Sequence, residues 1–177
     1  MKLSRSLGVM LASATFLSFA GSAFALDGND VLAKIQAVYG AQGGKIEAAS
    51  AEVDGANVIL KGVSVTMTGM DGKSFPIGDV TLENVEEGDE GYSIEKVSFP
   101  DINTTQDGVT FTATDIALGG VYIPNEAKPG TIDSMLLYEN FTSGPMTATA
   151  EGKRVFALEG VDANLVSDDD QTKFDFD

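Results

Sequence analysis

The side chains able to do chemistry in this 177-residue chain are carboxylates and lysines, because it has neither histidine nor cysteine. That excludes a Ser-His-Asp triad, a Cys-His pair, a zinc centre of the usual ligands and thiol redox chemistry. No G-x-x-x-x-G-K-[ST] phosphate loop occurs either. The acids gather in two turns: Glu86, Glu87, Asp89 and Glu90 in "EEGDEG", and Asp168, Asp169 and Asp170 in a second run. Hard oxygen ligands crowded in a loop suit calcium, which makes these seven residues the candidate calcium ligands. The first run departs from an EF-hand loop, since its glycines fall elsewhere and strands flank it. The competing reading is solvated turn charge. A glycosidase needs two acids converging in a cleft, and the chain also lacks tryptophan to hold sugar. The residues therefore predict no catalytic group and no obligatory cofactor, with calcium as the one cation to test.

These turns belong to a chain that opens with an export signal. Lys2 and Arg5 precede an apolar stretch from Leu7 to about Ala20, and Ala23-Phe24-Ala25 offers a small-x-small cleavage site. Residues 1–25 are read as a cleavable signal peptide, and 26–177 as a single β-rich domain without a later membrane-spanning stretch. The expected location is periplasmic or secreted, and a domain of this size without disulfides is ordinary in a bacterial periplasm. Loss of Lys2 and Arg5 leaves nine bases against 27 acids, a net charge of -18. Such a surface repels nucleic acid and, over most of its area, anionic lipid headgroups.

The first element is a helix. Asp27 to Asp30 supply capping groups, Val31, Leu32, Ile35, Val38 and Tyr39 make an apolar stripe, and Gly40 follows as a stop, so a short helix is expected over 30–39. From 46 to 177 the pattern is strand, in "VSVTM", "YSIEKVSF", "GVTFTAT", "MTATA" and "KFDFD", with turn residues between the runs. Residues 80–85 should pair with 92–97 in a hairpin. The Pro-interrupted loop 124–133 is expected to cross between sheets or layers. "QTKFDFD" starts a strand with no turn after it, which suggests the front part of a longer protein.

A phrase recurs in these strands: Leu60 to Val63, Leu82 to Val85, Ile94 to Val97, Leu118 to Val121 and Leu158 to Val161. Strict alternation would send its two apolar ends to opposite faces. An extra residue, as in a β-bulge, returns them to one face and coils the strand. The expected interior residues are therefore Val58, Leu60, Val63 and Val65; Leu82 and Val85; Ile94, Val97 and Phe99; Phe111, Ile116, Leu118 and Val121; and Phe156, Leu158 and Val161. The fold class is mainly β: a curved antiparallel sheet, either an open groove or a barrel-like or sandwich-like closure, with one short N-terminal helix.

The layout, with "VILKGVSV", "VTLENV" and "FALEGV" on curved strands after an export segment and a helix, resembles the AsmA-like envelope proteins of Gram-negative bacteria and related periplasmic β-rich proteins of unknown function. The resemblance spans residues 27–177. It implies a non-enzymatic protein with a hydrophobic β groove, partnered by a lipid or other apolar molecule, or by an envelope protein, in envelope maintenance. It transfers no site residues. The alternative from the residues themselves is an acidic, calcium-dependent adhesion or surface-binding module.

Overall fold

A computed structural model describes residues 25–66, 73–129, 137–168 and 171–176. The expected signal segment, apart from Ala25, lies outside these residues, as do Asp169 and Asp170. Among the described residues no helix is long and apolar enough to cross a membrane.

Helix α1 (Gly28–Ala41) is longer than its apolar stripe suggests. Asp27 caps it, its Oδ1 accepting from the N–H groups of Asn29 (2.9 Å) and Asp30 (3.4 Å). Gly40 does not stop it, since glycine is tolerated inside a last turn. The left-handed residue comes later, at Gly43 (φ 80°), where Gly44 N–H returns to Tyr39 O at 2.9 Å. Val31, Ile35 and Val38 are buried, with Leu32 and Tyr39 half-buried beside them.

Thirteen strands follow among the described residues. β1 (Lys45–Glu47) and β2 (Ser50–Asp54) both pair with β3 (Asn57–Thr66), and the large antiparallel sheet runs on through β4 (Phe75–Gly88), β5 (Gly91–Ser98), β8 (Ala117–Pro124), β9 (Asn140–Ser143), β12 (Val161–Asp168) and β13 (Gln171–Phe176). A four-stranded sheet is ordered β6 (Ile102–Gln106), β7 (Val109–Ala113), β10 (Met146–Ala150) and β11 (Lys153–Leu158). The β4–β5 hairpin has the expected register, with Leu82 opposite Val97 and Val85 opposite Ile94.

The two sheets share their strands. β5 runs on into β6, β7 into β8, β9 into β10 and β11 into β12, and the neighbours keep the same order on both sides of the break. One set of four strands is thus bent along a line. Pro100 and Pro145 sit on that line and cannot donate to a ladder, and Asp115 there has φ 51°. The chain therefore changes sheets at these short breaks. The loop after β8 does not cross between sheets as expected, because β8 and β9 are neighbours in the large sheet, Ala117 opposite Thr142.

The repeated phrase coils the strands as expected, by a more ordered device than separate bulges. Its third residue is left-handed in three copies: Gly62 (φ 59°), Asn84 (φ 51°) and Gly120 (φ 59°). Both apolar ends then face inward, and Leu60, Val63, Leu82, Val85, Ile94, Val97 and Val121 are all buried. Register shifts only between β3 and β4. Across β4, β5 and β8 the extra residues Asn84, Glu95 and Gly120 lie in one row, so all three strands bend together and keep register. The N–H groups that leave the ladder find side-chain acceptors. Gly62 donates to Asp79 Oδ1 at 2.9 Å and Asn84 to Asn57 Oδ1 at 3.0 Å.

The fifth copy behaves differently. Leu158 ends β11 and Val161 begins β12, so this phrase spans the bend. Phe156 and Leu158, expected inside, are 47% and 37% exposed, because they stand on the smaller sheet, which no helix covers among the described residues. Phe111, Ile116 and Val161 are half-buried.

Candidate functional site

Coiling makes the large sheet concave, and α1 lies across one end of the hollow, touching β1, β2, β3 and β8. Three polar contacts pin it. Gln36 Nε2 donates to Ile46 O (3.2 Å), Lys34 Nζ to Asn125 O (3.0 Å) and the buried Tyr92 hydroxyl to Asp30 Oδ2 (2.8 Å). Burial first, then the Asp30 carboxylate, raises the Tyr92 phenol well above its usual range, so it stays a donor at all ordinary pH. Gly28 lets the first turn sit on β2, since a Cβ there would meet Val53 Cγ2 at 3.1 Å.

Between α1 and the sheet lies a cavity of about 120 Å³. Ile35 and Tyr39 from the helix, Ile46 from β1 and residues of β3, β4, β5 and β8 form its wall, which is apolar except for the Tyr39 phenol. Its inner end is made by the fully buried Leu60, Ile94 and Ile123. Its outer end is made by the half-buried Tyr39, Val65, Ile77, Phe99 and Leu118, so it opens on that side. Burial also pushes the Tyr39 phenol up, leaving a neutral hydroxyl as the one polar group of the wall.

The apolar wall continues beyond the mouth. Phe75, opposite Val65, meets Phe111 of the smaller sheet edge-on, with ring centroids 6.5 Å apart and planes at 69°. Phe111 lies opposite Ala148, which lies opposite Phe156, and the next row holds Ala113, Met146 and Leu158. Residues directly opposite one another share a face, so this side of the smaller sheet is apolar. The other side carries Thr110, Thr112, Thr147 and Thr149, with Thr112 and Thr147 hydroxyls 2.7 Å apart.

The candidate calcium ligands are not drawn together. Glu86 and Glu87 end β4 and Asp89 and Glu90 form the turn, all exposed. Asn125 braces that turn through backbone, its N–H on Glu90 O and its amide on Asp89 O, leaving the carboxylates in solvent. Asp168 ends β12. Among the described residues no group of three or more acids is placed to hold a metal ion.

Ile46, Ile77 and Ile123 were missed as groove residues by sequence reasoning, although Ile77 to Val80 repeats the Leu-x-x-Val spacing. Comparison with known proteins finds no matching family model, no matching curated protein and no matching solved structure.

Proposed function

We propose that this chain is a non-enzymatic, exported protein that binds an apolar, lipid-like molecule in the groove beneath α1 and serves envelope maintenance. The observation carrying this reading is the cavity wall: an almost wholly apolar hollow, open at one end and continuous with a second apolar surface. Left empty, a cavity of this size costs on the order of 3 kcal/mol in lost packing, which an apolar guest offsets. A cavity of about 150 Å³ is the scale that admits benzene, so a longer chain would emerge over Phe99 and Leu118 toward Phe111. Nothing in the wall could act as a nucleophile or general base, because a phenol raised by burial does not ionise near neutrality. The export signal and the resemblance to AsmA-like envelope proteins point the same way.

Native mass spectrometry of the protein purified from an envelope fraction tests this. A retained mass in the lipid range is the expected result. A bare mass in every preparation would sink the reading, and an adduct seen only with added calcium would favour the acidic adhesion module instead.

A further inference from the structure

We infer that strand β11 is the edge through which two copies of this chain associate, antiparallel and related by a two-fold axis near Phe156. Among the described residues β11 pairs only with β10, and every residue from Lys153 to Leu158 is exposed, Val155 by 64% and Phe156 by 47%. A free strand edge bearing Val, Phe, Ala and Leu is a template for another strand. The opposite edge of the same sheet, β6, is Ile-Asn-Thr-Thr-Gln and lacks that apolar character.

The partner is read from the charges around the strand. Lys153 and Arg154 stand at one end and Glu159 at the other, all exposed and with no ion pair among the described residues. A second copy laid antiparallel about Phe156 brings the Lys153–Arg154 end of each chain against Glu159 of the other. Parallel pairing would put like charges together, so the segment selects one orientation. The arrangement is isologous and closes at two copies, as a two-fold contact must. Phe156 meets its own counterpart at the centre, and the apolar faces of the two smaller sheets become one surface.

Because the chain has no cysteine, single substitutions report the geometry directly. At the axis, a residue and its counterpart have Cα atoms about 5 Å apart, within disulfide reach. The two copies of Lys153 would be roughly 20 Å apart. Under mild oxidation Phe156→Cys should yield a covalent dimer on a non-reducing gel, and Lys153→Cys should not. Light scattering of the unmodified protein should show a dimer that dissociates on dilution. Glu159→Lys should raise the dissociation constant at least tenfold, and adding Lys153→Glu to it should restore dimerisation. A monomer at all concentrations, cross-linking of Lys153→Cys as readily as Phe156→Cys, or a double charge swap that fails to recover would each overturn the inference.

Discussion

Asp79 shows how one side chain makes a bend in a strand permissible. Its Oδ1 accepts the Gly62 N–H and its Oδ2 the Lys61 ammonium, both at 2.9 Å. The Gly62 hydrogen bond, then Lys61, holds this carboxyl below its ordinary value of 3.8. A carboxylate with a lowered folded-state pKa contributes stability above that ordinary value and loses it as pH falls through the lowered one. Melting temperature should therefore drop in acid below about pH 4, and Asp79→Asn should show a shallower acid profile. An unchanged profile would mean that the contact carries no net stability. At the bend itself, Gly62→Ala has room, its nearest neighbour being Ala49 Cβ at 3.6 Å, so it isolates the cost of a left-handed residue, about 1–2 kcal/mol by denaturant titration. The Leu-x-x-Val spacing was legible in the chain. That Glu95, with an ordinary φ, would fill the row between Asn84 and Gly120 was not, because a row exists only once strands have paired.

At the level of elements, the helix was readable from its cap and stripe, and its extent was set by contacts outside it. Asp27→Ala should cost about 1 kcal/mol in unfolding free energy, since Asn29 and Asp30 N–H groups lose their acceptor. A loss near zero would mean that packing of Val31, Ile35 and Val38 alone holds the helix start. The strands were readable from alternation and turn chemistry. Asp107-Gly108 and Glu151-Gly152, with φ of 50° and 78° and of 50° and 73°, make the tight turns of the smaller sheet. The break between the sheets was harder to see. Pro100 and Pro145 mark it, yet a proline can equally end a strand or sit on an edge, and only the shared strand order shows that both fall on one line.

For the whole molecule, the groove is the feature with consequence. Val97→Phe places a larger side chain in its wall, and the cavity can absorb part of it, so the cost in stability should stay within about 1–3 kcal/mol. Retention of an apolar ligand should be lost in the same variant, as read by native mass spectrometry of matched preparations. A ligand retained at the wild-type level would place its site elsewhere. Sixteen residues were expected inside from their spacing, and the seven buried around the bends are the clearest success. Phe156 and Leu158 followed the same spacing and came out exposed, since periodicity assigns a residue to a face and says nothing about what covers that face.

The sequence by itself determined the mainly β architecture, the leading helix, the inward-facing phrases and the chemistries that lack their residues. These follow from local rules: side-chain period, turn stereochemistry, capping and residue type. The tertiary structure alone decided that the sheet stays open and divides along one line, that the helix lies across one end of its hollow, and that the acids of the turn remain in solvent. Those outcomes depend on which strands pair and at what register, and pairing joins residues far apart in the chain through contacts that no short stretch of sequence encodes.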